Sequence, residues 1–272
     1  MKHLKAVAVP LVLLTLATGA MLLQTGKSAA SRTKSGTSPA RIVVELFTSE
    51  GCSSCPPADI LLAKLSARPW AENVEVLALE EHVDYWDQLG WKDPFSSPES
   101  TQRQENYAAR FANGSVYTPQ MVVNGRTEFV GSREGEARRV IAEATGKAET
   151  EVIVTSEKST GDKERLMLRV GKVVDASPDD IPEVWLAVTE TGLHSEVTRG
   201  ENAGEDLHHA AVVRMLRKIG IANEKDGKTS FTGEASVSLD RGWKRDNLRA
   251  VVFVQEKKSR QIVGAAETKL TP

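Results

Sequence analysis

Cysteine is almost absent from this chain, with two among 272 residues. That excludes a scaffold stapled by several disulfides and a zinc site built from four thiolates. Aromatic residues are sparse at 5%, and neither sign of charge dominates, with 35 Lys and Arg against 37 Asp and Glu. A nucleic-acid binder would show a basic excess or a clustered basic stripe, and neither is present. There is no internal repeat and no phosphate-cradling glycine loop. What is left is an ordinary globular composition, 40% hydrophobic and 26% charged. It is long enough for one or two domains with a proper core.

The N-terminus stands apart. Lys2, His3 and Lys5 precede an apolar stretch of 18 residues, Ala6 to Leu23, and small residues follow at Ser28-Ala29-Ala30. This is the pattern of an export signal. Eighteen residues is also the lower edge of a membrane span, so residues 6–23 are either removed or act as a membrane tether. Both readings put the folded part outside the cytoplasm, periplasmic or secreted. Residues 1–30 hold three Lys and no acid, which leaves 32 basic against 37 acidic residues in the remainder. Residues 24–40 are small and polar with no hydrophobic period, and 31–40 read as a disordered linker.

Organised sequence begins at Arg41. Ile42-Val43-Val44-Glu45-Leu46-Phe47 is rich in β-branched residues and reads as a buried strand. After a short loop come Cys52-Ser53-Ser54-Cys55-Pro56-Pro57, then a helical pattern with Ala58, Leu61, Leu62 and Leu65 on one face. The two prolines belong in a first helical turn, where backbone N–H groups lack partners anyway. The cysteines therefore open a helix directly after a strand. A thiol there feels the positive end of the peptide dipoles, and its pKa can fall from about 8.5 to roughly 3.5–7.5. Cys-x-x-Cys spacing lets one sulfur attack a disulfide and the other resolve the mixed disulfide. Cys52, the more exposed member by position, is the expected nucleophile and Cys55 the resolving thiol. A purely structural Cys52–Cys55 bridge is the alternative, although so small a loop closes little chain entropy. A metal at this pair needs further ligands, for which His82 and Asp84 are the nearby donors.

The following sequence continues in alternation. Val74 to Leu79 is a second strand. Ser97-Pro98-Glu99 starts a helix with Ser97 as cap. Val116 to Val123 reads as a third strand, Asn124-Gly125 as a hairpin turn, and Arg126 to Val130 as its partner. Glu134 to Thr145 is a last helix, with Ala137, Val140, Ile141 and Ala144 on one face. The expected order is βαβαββα over residues 41–148.

That order, a Cys-x-x-Cys opening the first helix and Thr118-Pro119 opening the third strand together resemble the thioredoxin superfamily. The strings ELFTSEGCSSCPPAD from Glu45, HVDYWDQLGWKDPF from His82 and VYTPQMVVNG from Val116 are similar to one narrower group. This is an exported thioredoxin-like family of unknown function. The resemblance covers about residues 41–146 and implies an α/β fold with a central mixed sheet, but no established activity. It implies that Pro119, preceded by Thr118, is a cis proline facing the dithiol, where its backbone would pair with a bound peptide. It also matches Glu45, in type, to a buried acid that takes a proton from Cys55; a Glu facing solvent or capping a loop is the open alternative. Departures are Gly51 in place of a Trp before the dithiol, and Ser53-Ser54 between the thiols, so the redox direction stays open.

His82 to Phe95 holds Tyr85, Trp86, Trp91 and Phe95, four of 14 aromatics within 11 residues. It leaves the sheet edge where the dithiol helix begins, a place where α/β sheets gather ligands. The segment reads as an aromatic wall beside the thiols, with Tyr85, Trp86, Trp91 and His82 as substrate contacts and Asp84 and Asp87 as polar groups. A loop that packs its own aromatics is the plainer alternative, and His82 alone suits a hydrogen-bonded structural role.

From about Glu149 several short strand patterns with Gly, Asp and Ser turns suggest an all-β, sandwich-like second domain over 149–272. Leu207 to Ile219 fits a strand better than a helix. Arg199 to Glu205 reads as a plain polar turn rather than a cation loop. His208 and His209 should face opposite sides of a strand and share no metal.

Three functions compete. The first is an exported thiol–disulfide oxidoreductase acting on protein or small thiols without a cofactor. The second is a non-catalytic envelope binding module with a structural disulfide. The third is copper or zinc handling through Cys52, Cys55 and His82.

Overall fold

Alternating apolar residues and proline-marked helix starts produce β1 (Ala40–Thr48), α1 (Pro56–Ser66), β2 (Val74–His82), α2 (Pro98–Ala108), β3 (Gln120–Val123), β4 (Thr127–Val130) and α3 (Glu134–Ala144). Strands then follow: β5 (Val152–Lys158), β6 (Lys163–Val170), β7 (Pro182–Glu190), β8 (Leu193–Glu196), β9 (Asp206–His209), β10 (Val212–Ile221), β11 (Asn223–Lys225), β12 (Lys228–Ser238), β13 (Leu248–Glu256) and β14 (Ile262–Lys269). The computed structural model describes residues 39–67, 73–111, 114–145, 149–158, 161–174, 179–225 and 228–270. The expected export segment or tether, 1–30, and residues 31–38 of the expected linker lie outside them. The described residues belong to one compact unit, Thr37–Pro272. Among them no helix is long and apolar enough to cross a membrane.

The protein is mixed α/β, with few helices on a large mixed sheet. Eight strands run in the order β14-β13-β7-β10-β2-β1-β3-β4, and a second sheet runs β11-β12-β6-β5. β1 and β2 are parallel in register Ala40↔Val74 through Thr48↔His82, and β3 lies antiparallel on the other side of β1. Strand parity then sorts side chains. Ile42, Val44 and Leu46 of β1 and Val74, Val76 and Ala78 of β2 share a core with Leu61, Leu62 and Leu65 of α1 and with Val140 and Ile141 of α3. Val43, Leu77 and Leu79 face the other way and share a core with Ala187, Val251 and Phe253. α2 also lies on this second side, through Tyr107 against Phe47.

The sheet does not stop at the expected boundary at 148/149. β10 lies parallel beside β2 at Val212↔Glu80, and the Glu80 N–H donates to the Ala211 carbonyl at 2.9 Å. The Asn124-Gly125 turn docks on the β13–β14 turn: a Cβ at Gly125, where φ is +61°, would stand 1.9 Å from the Arg260 carbonyl oxygen. β5, β6 and β12 face β7, β13 and β14 across a core that includes Leu166, Leu168, Leu186 and Val252.

Some elements differ from expectation for local reasons. β2 continues three residues past Leu79, because Glu80, Glu81 and His82 find buried partners rather than solvent. β3 starts at Gln120 rather than Val116, after the Thr118–Pro119 peptide, which is cis. The stretch Leu207 to Ile219 is two strands, β9 and β10, separated at Ala210-Ala211, where Ala211 has φ +60°.

Candidate functional site

The dithiol loop hangs between β1 and α1. Cys55 is the N-cap of α1, with prolines in the first turn and no side-chain cap. The Cys55 carbonyl accepts from the N–H groups of Ala58 and Asp59. Cys52 and Cys55 form a disulfide with their Cα atoms 5.5 Å apart. Both cysteines are 0% exposed, which corrects the expectation that Cys52 is the more open of the two. The loop is also held from 150 residues downstream. Asn202 donates its amide to the Glu50 carbonyl at 2.8 Å and to the Cys52 carbonyl at 3.1 Å. The Glu201 carboxylate takes the Ser53 N–H at 3.1 Å and the Ser53 hydroxyl at 2.7 Å. The Arg199–Glu205 turn is therefore a cap on the dithiol loop, not a plain turn. Its seating needs glycine at 200: φ is +82°, and a Cβ there would lie 3.1 Å from that of Trp91.

The aromatic segment touches the same loop. The Trp91 indole donates to Glu50 at 2.7 Å, and the Trp86 indole donates to the Thr118 hydroxyl at 2.9 Å. A Cβ at Gly51 would be 3.2 Å from that of Trp86, so Trp86 backs onto the turn before Cys52. Thr118-Pro119 lies beside α1: a Cβ at Gly131 would meet those of Ala58 and Pro119 at 3.2 and 3.3 Å. Cys52, Cys55, Trp86, Trp91, Thr118 and Pro119 thus gather in one place. Tyr85 turns to α2, donating to Gln104 at 3.1 Å. Asp84 and Asp87 hold the segment itself together, accepting from Thr101 at 2.6 Å and Ser96 at 2.8 Å.

Glu45 is buried, but on the other side of the sheet from α1. It pairs with Arg103 and accepts from the Tyr107 hydroxyl. The role of taking a proton from Cys55 is corrected accordingly, because odd-numbered residues of β1 point toward α2. One buried acid on the α1 side is Asp59, one turn beyond Cys55, which accepts from Thr48 at 2.6 Å. Burial and then the Glu80 charge push the Asp59 pKa to about 7, against the opposing pull of His209, the Thr48 hydroxyl and His82.

His82 joins neither cysteine. Glu80 and His82, two apart on β2, point to the α1 side and meet His209 of β9. His209 lies 2.8 Å from Glu80 through Nδ1 and 3.1 Å from Glu50 through Nε2. His82 Nδ1 is 2.7 Å from Asp93. Phe95 stands edge-on to both imidazoles, at 5.5 Å from each. Burial alone would lower the His82 pKa, but Asp93 and Glu80 hold it well above the ordinary imidazole value. Burial works the same way on His209, and Glu50 and Glu80 raise it to about 9. The described residues that can share one ion are Glu80, His82 and His209. The sequence reading missed Glu80 and His209; the only local signal was an acid and a histidine two apart at the end of a strand.

The chain belongs to a family described as "Protein of unknown function (DUF1223)", whose model matches residues 43–255. Among solved structures it is similar to protein AGR_C_4864 from Agrobacterium tumefaciens at 28% identity and a TM-score of 0.61, covering 87% of this chain and 99% of that one. It is also similar in fold to HBP35 of Porphyromonas gingivalis, at 18% identity and a TM-score of 0.66, covering 86% and 76%. No curated protein matches.

Proposed function

We propose that this chain is an exported, periplasmic or secreted thiol–disulfide exchange protein, with a thioredoxin-like first part and a β-sandwich-like second part that caps the dithiol. The observation that carries the reading is the Cys52–Cys55 disulfide at the N-cap of α1, beside the Thr118-Pro119 loop. In the reduced form the Cys52 thiolate, favoured by the helix N-terminus, attacks a substrate disulfide and releases one substrate thiolate. Cys55 then attacks Cys52 in the mixed disulfide and releases the second. Two electrons pass to the substrate and the protein disulfide re-forms; the reverse sequence oxidises a dithiol. In this reading Asp59, buried on the α1 side one turn beyond Cys55, takes the Cys55 proton in place of Glu45. Because both sulfurs are covered, exchange requires the 199–205 loop to lift.

Titration against a dithiol couple tests this. The expected result is reversible reduction with a potential above roughly −300 mV, where labile bonds lie. Cys52→Ser should abolish exchange. A bond that resists excess dithiol, or unchanged exchange in Cys52→Ser, would overturn the proposal. The complete burial of Cys52 favours a second reading, a binding module with an inert disulfide. There, Trp86→Ala and Trp91→Ala should abolish ligand capture while the Cys→Ser variants leave it intact.

A further inference from the structure

We propose that Glu80, His82 and His209 hold a divalent transition-metal ion, at a site separate from the dithiol. Each offers one ligand atom, and these atoms all lie within 4.8 Å of one another in a fully buried pocket. Two imidazoles and a carboxylate form the donor set of zinc and related ions, whereas calcium and magnesium prefer all-oxygen shells.

The decisive atom is His82 Nε2. It is buried and has no hydrogen-bond partner among the described residues. Glu80 Oε1 is 3.6 Å away, beyond hydrogen-bond length. That oxygen is already engaged with His209 Nδ1 at 2.8 Å, and the other Glu80 oxygen accepts from the Ala210 N–H at 2.8 Å. A buried ring nitrogen without a partner is costly. An ion between Nε2 and Glu80 removes that cost.

The outer nitrogens repeat the theme. His82 Nδ1 faces the Asp93 carboxylate and His209 Nε2 faces the Glu50 carboxylate, at 2.7 and 3.1 Å. A carboxylate on the far nitrogen is the arrangement that fixes tautomer and orientation in metal-bound histidines. Here it occurs twice, and both inner nitrogens turn toward Glu80. Asp93 is itself held, accepting from the Glu50 and Phe95 N–H groups at 2.9 Å each. A groove of about 460 Å³ has Phe95 in its lining, and the Phe95 ring lies 5.5 Å from each imidazole. Because Glu80 and His82 come from β2 and His209 from β9, the ion would clamp the two parts of the chain together.

The test is zinc binding to the full chain with its disulfide intact, so that the thiols cannot compete. Calorimetry against a competing chelator should give one ion per chain. The cobalt-substituted form should show ligand-field bands without sulfur-to-cobalt charge transfer. Asp93→Asn should weaken binding about 10–100-fold, and His82→Ala or His209→Ala by more. His194→Ala and His208→Ala, at an exposed pair near Asp206, should leave it unchanged. No retention by the disulfide-intact protein overturns the proposal. So does binding that survives in a folded His82→Ala variant, or that is lost with His194→Ala. If the buried variants fail to fold, X-ray absorption of the zinc-loaded natural chain decides: two imidazole shells support the site, and none overturns it. Success or failure of thiol exchange has no bearing on either result.

Discussion

The two sides of the β1–β2 pair carry different kinds of buried charge. On the α2 side, Arg103 pairs with Glu45, stands 3.2 Å from Glu81 and 3.2 Å from Gln255, and lies over the rings of Tyr107, Trp185 and Phe253. Its guanidinium cannot lose its proton, whereas burial pushes the neighbouring Glu81 carboxyl well above the ordinary carboxylate range. On the α1 side, three carboxylates, Glu50, Glu80 and Asp93, surround the two imidazoles of His82 and His209. The first cluster anchors α2. The second sits under the dithiol loop, where a change of state can be felt. Two strands alternating every residue thus place an arginine-centred cluster and a histidine-centred one on opposite faces of the sheet.

The largest test of this contrast is Arg103→Met. It leaves Glu45 buried without its cation and should cost about 3–5 kcal/mol in chemical denaturation. A loss below about 1 kcal/mol would make the α2-side cluster as adaptable as the other. Asp59→Asn probes the opposite side. Asp59 rises from 3.8 to about 7 on folding, with Glu80, His82, His209 and Thr48 facing it. Between about pH 4 and 7 the folded state therefore holds a proton at Asp59 that the unfolded chain has lost, and this group's contribution to stability falls as pH climbs through that window. The neutral Asn variant escapes this. In chelator its advantage should be nil below pH 4 and on the order of 2–4 kcal/mol above pH 7. An equal gain at both ends would mean that the carboxyl does not titrate.

Smaller effects belong to the cover and the caps. Asn202→Ala removes two hydrogen bonds to the dithiol loop and should cost about 1–3 kcal/mol. Its sharper readout is reduction by dithiothreitol, which should speed up roughly tenfold if lifting the loop limits access to the sulfurs. An unchanged rate would show that Arg199–Glu205 does not guard them. Ser97→Ala, which deletes the N-cap hydroxyl that accepts from the Ser100 N–H at 3.1 Å, should cost about 1 kcal/mol through α2 alone, with no change in reduction rate.

The βαβαββα order was legible because its punctuation is local. Pro56-Pro57 and Ser97-Pro98 mark helix starts, and Asn124-Gly125 marks the hairpin, where φ is +47° and +61°. The dithiol and its aromatic neighbours were legible for the same reason. What could not be read depends on distance along the chain. His209 meets Glu80 across 129 residues, and Asn202 meets Cys52 across 150. A polar turn carries no mark of what it will cover. Likewise Glu80-Glu81-His82 reads as the end of a strand, because polar residues look alike whether buried in pairs or wet. Glu45 was left between two orientations until the parity of β1 assigned it to α2.

The seam where β10 lies against β2 has one more consequence. An amino-terminal half expressed alone would lose the β10 contact at the end of β2, with Glu80 stripped of both the Ala210 amide and its imidazole partner. Such a fragment should clump or fail to mature.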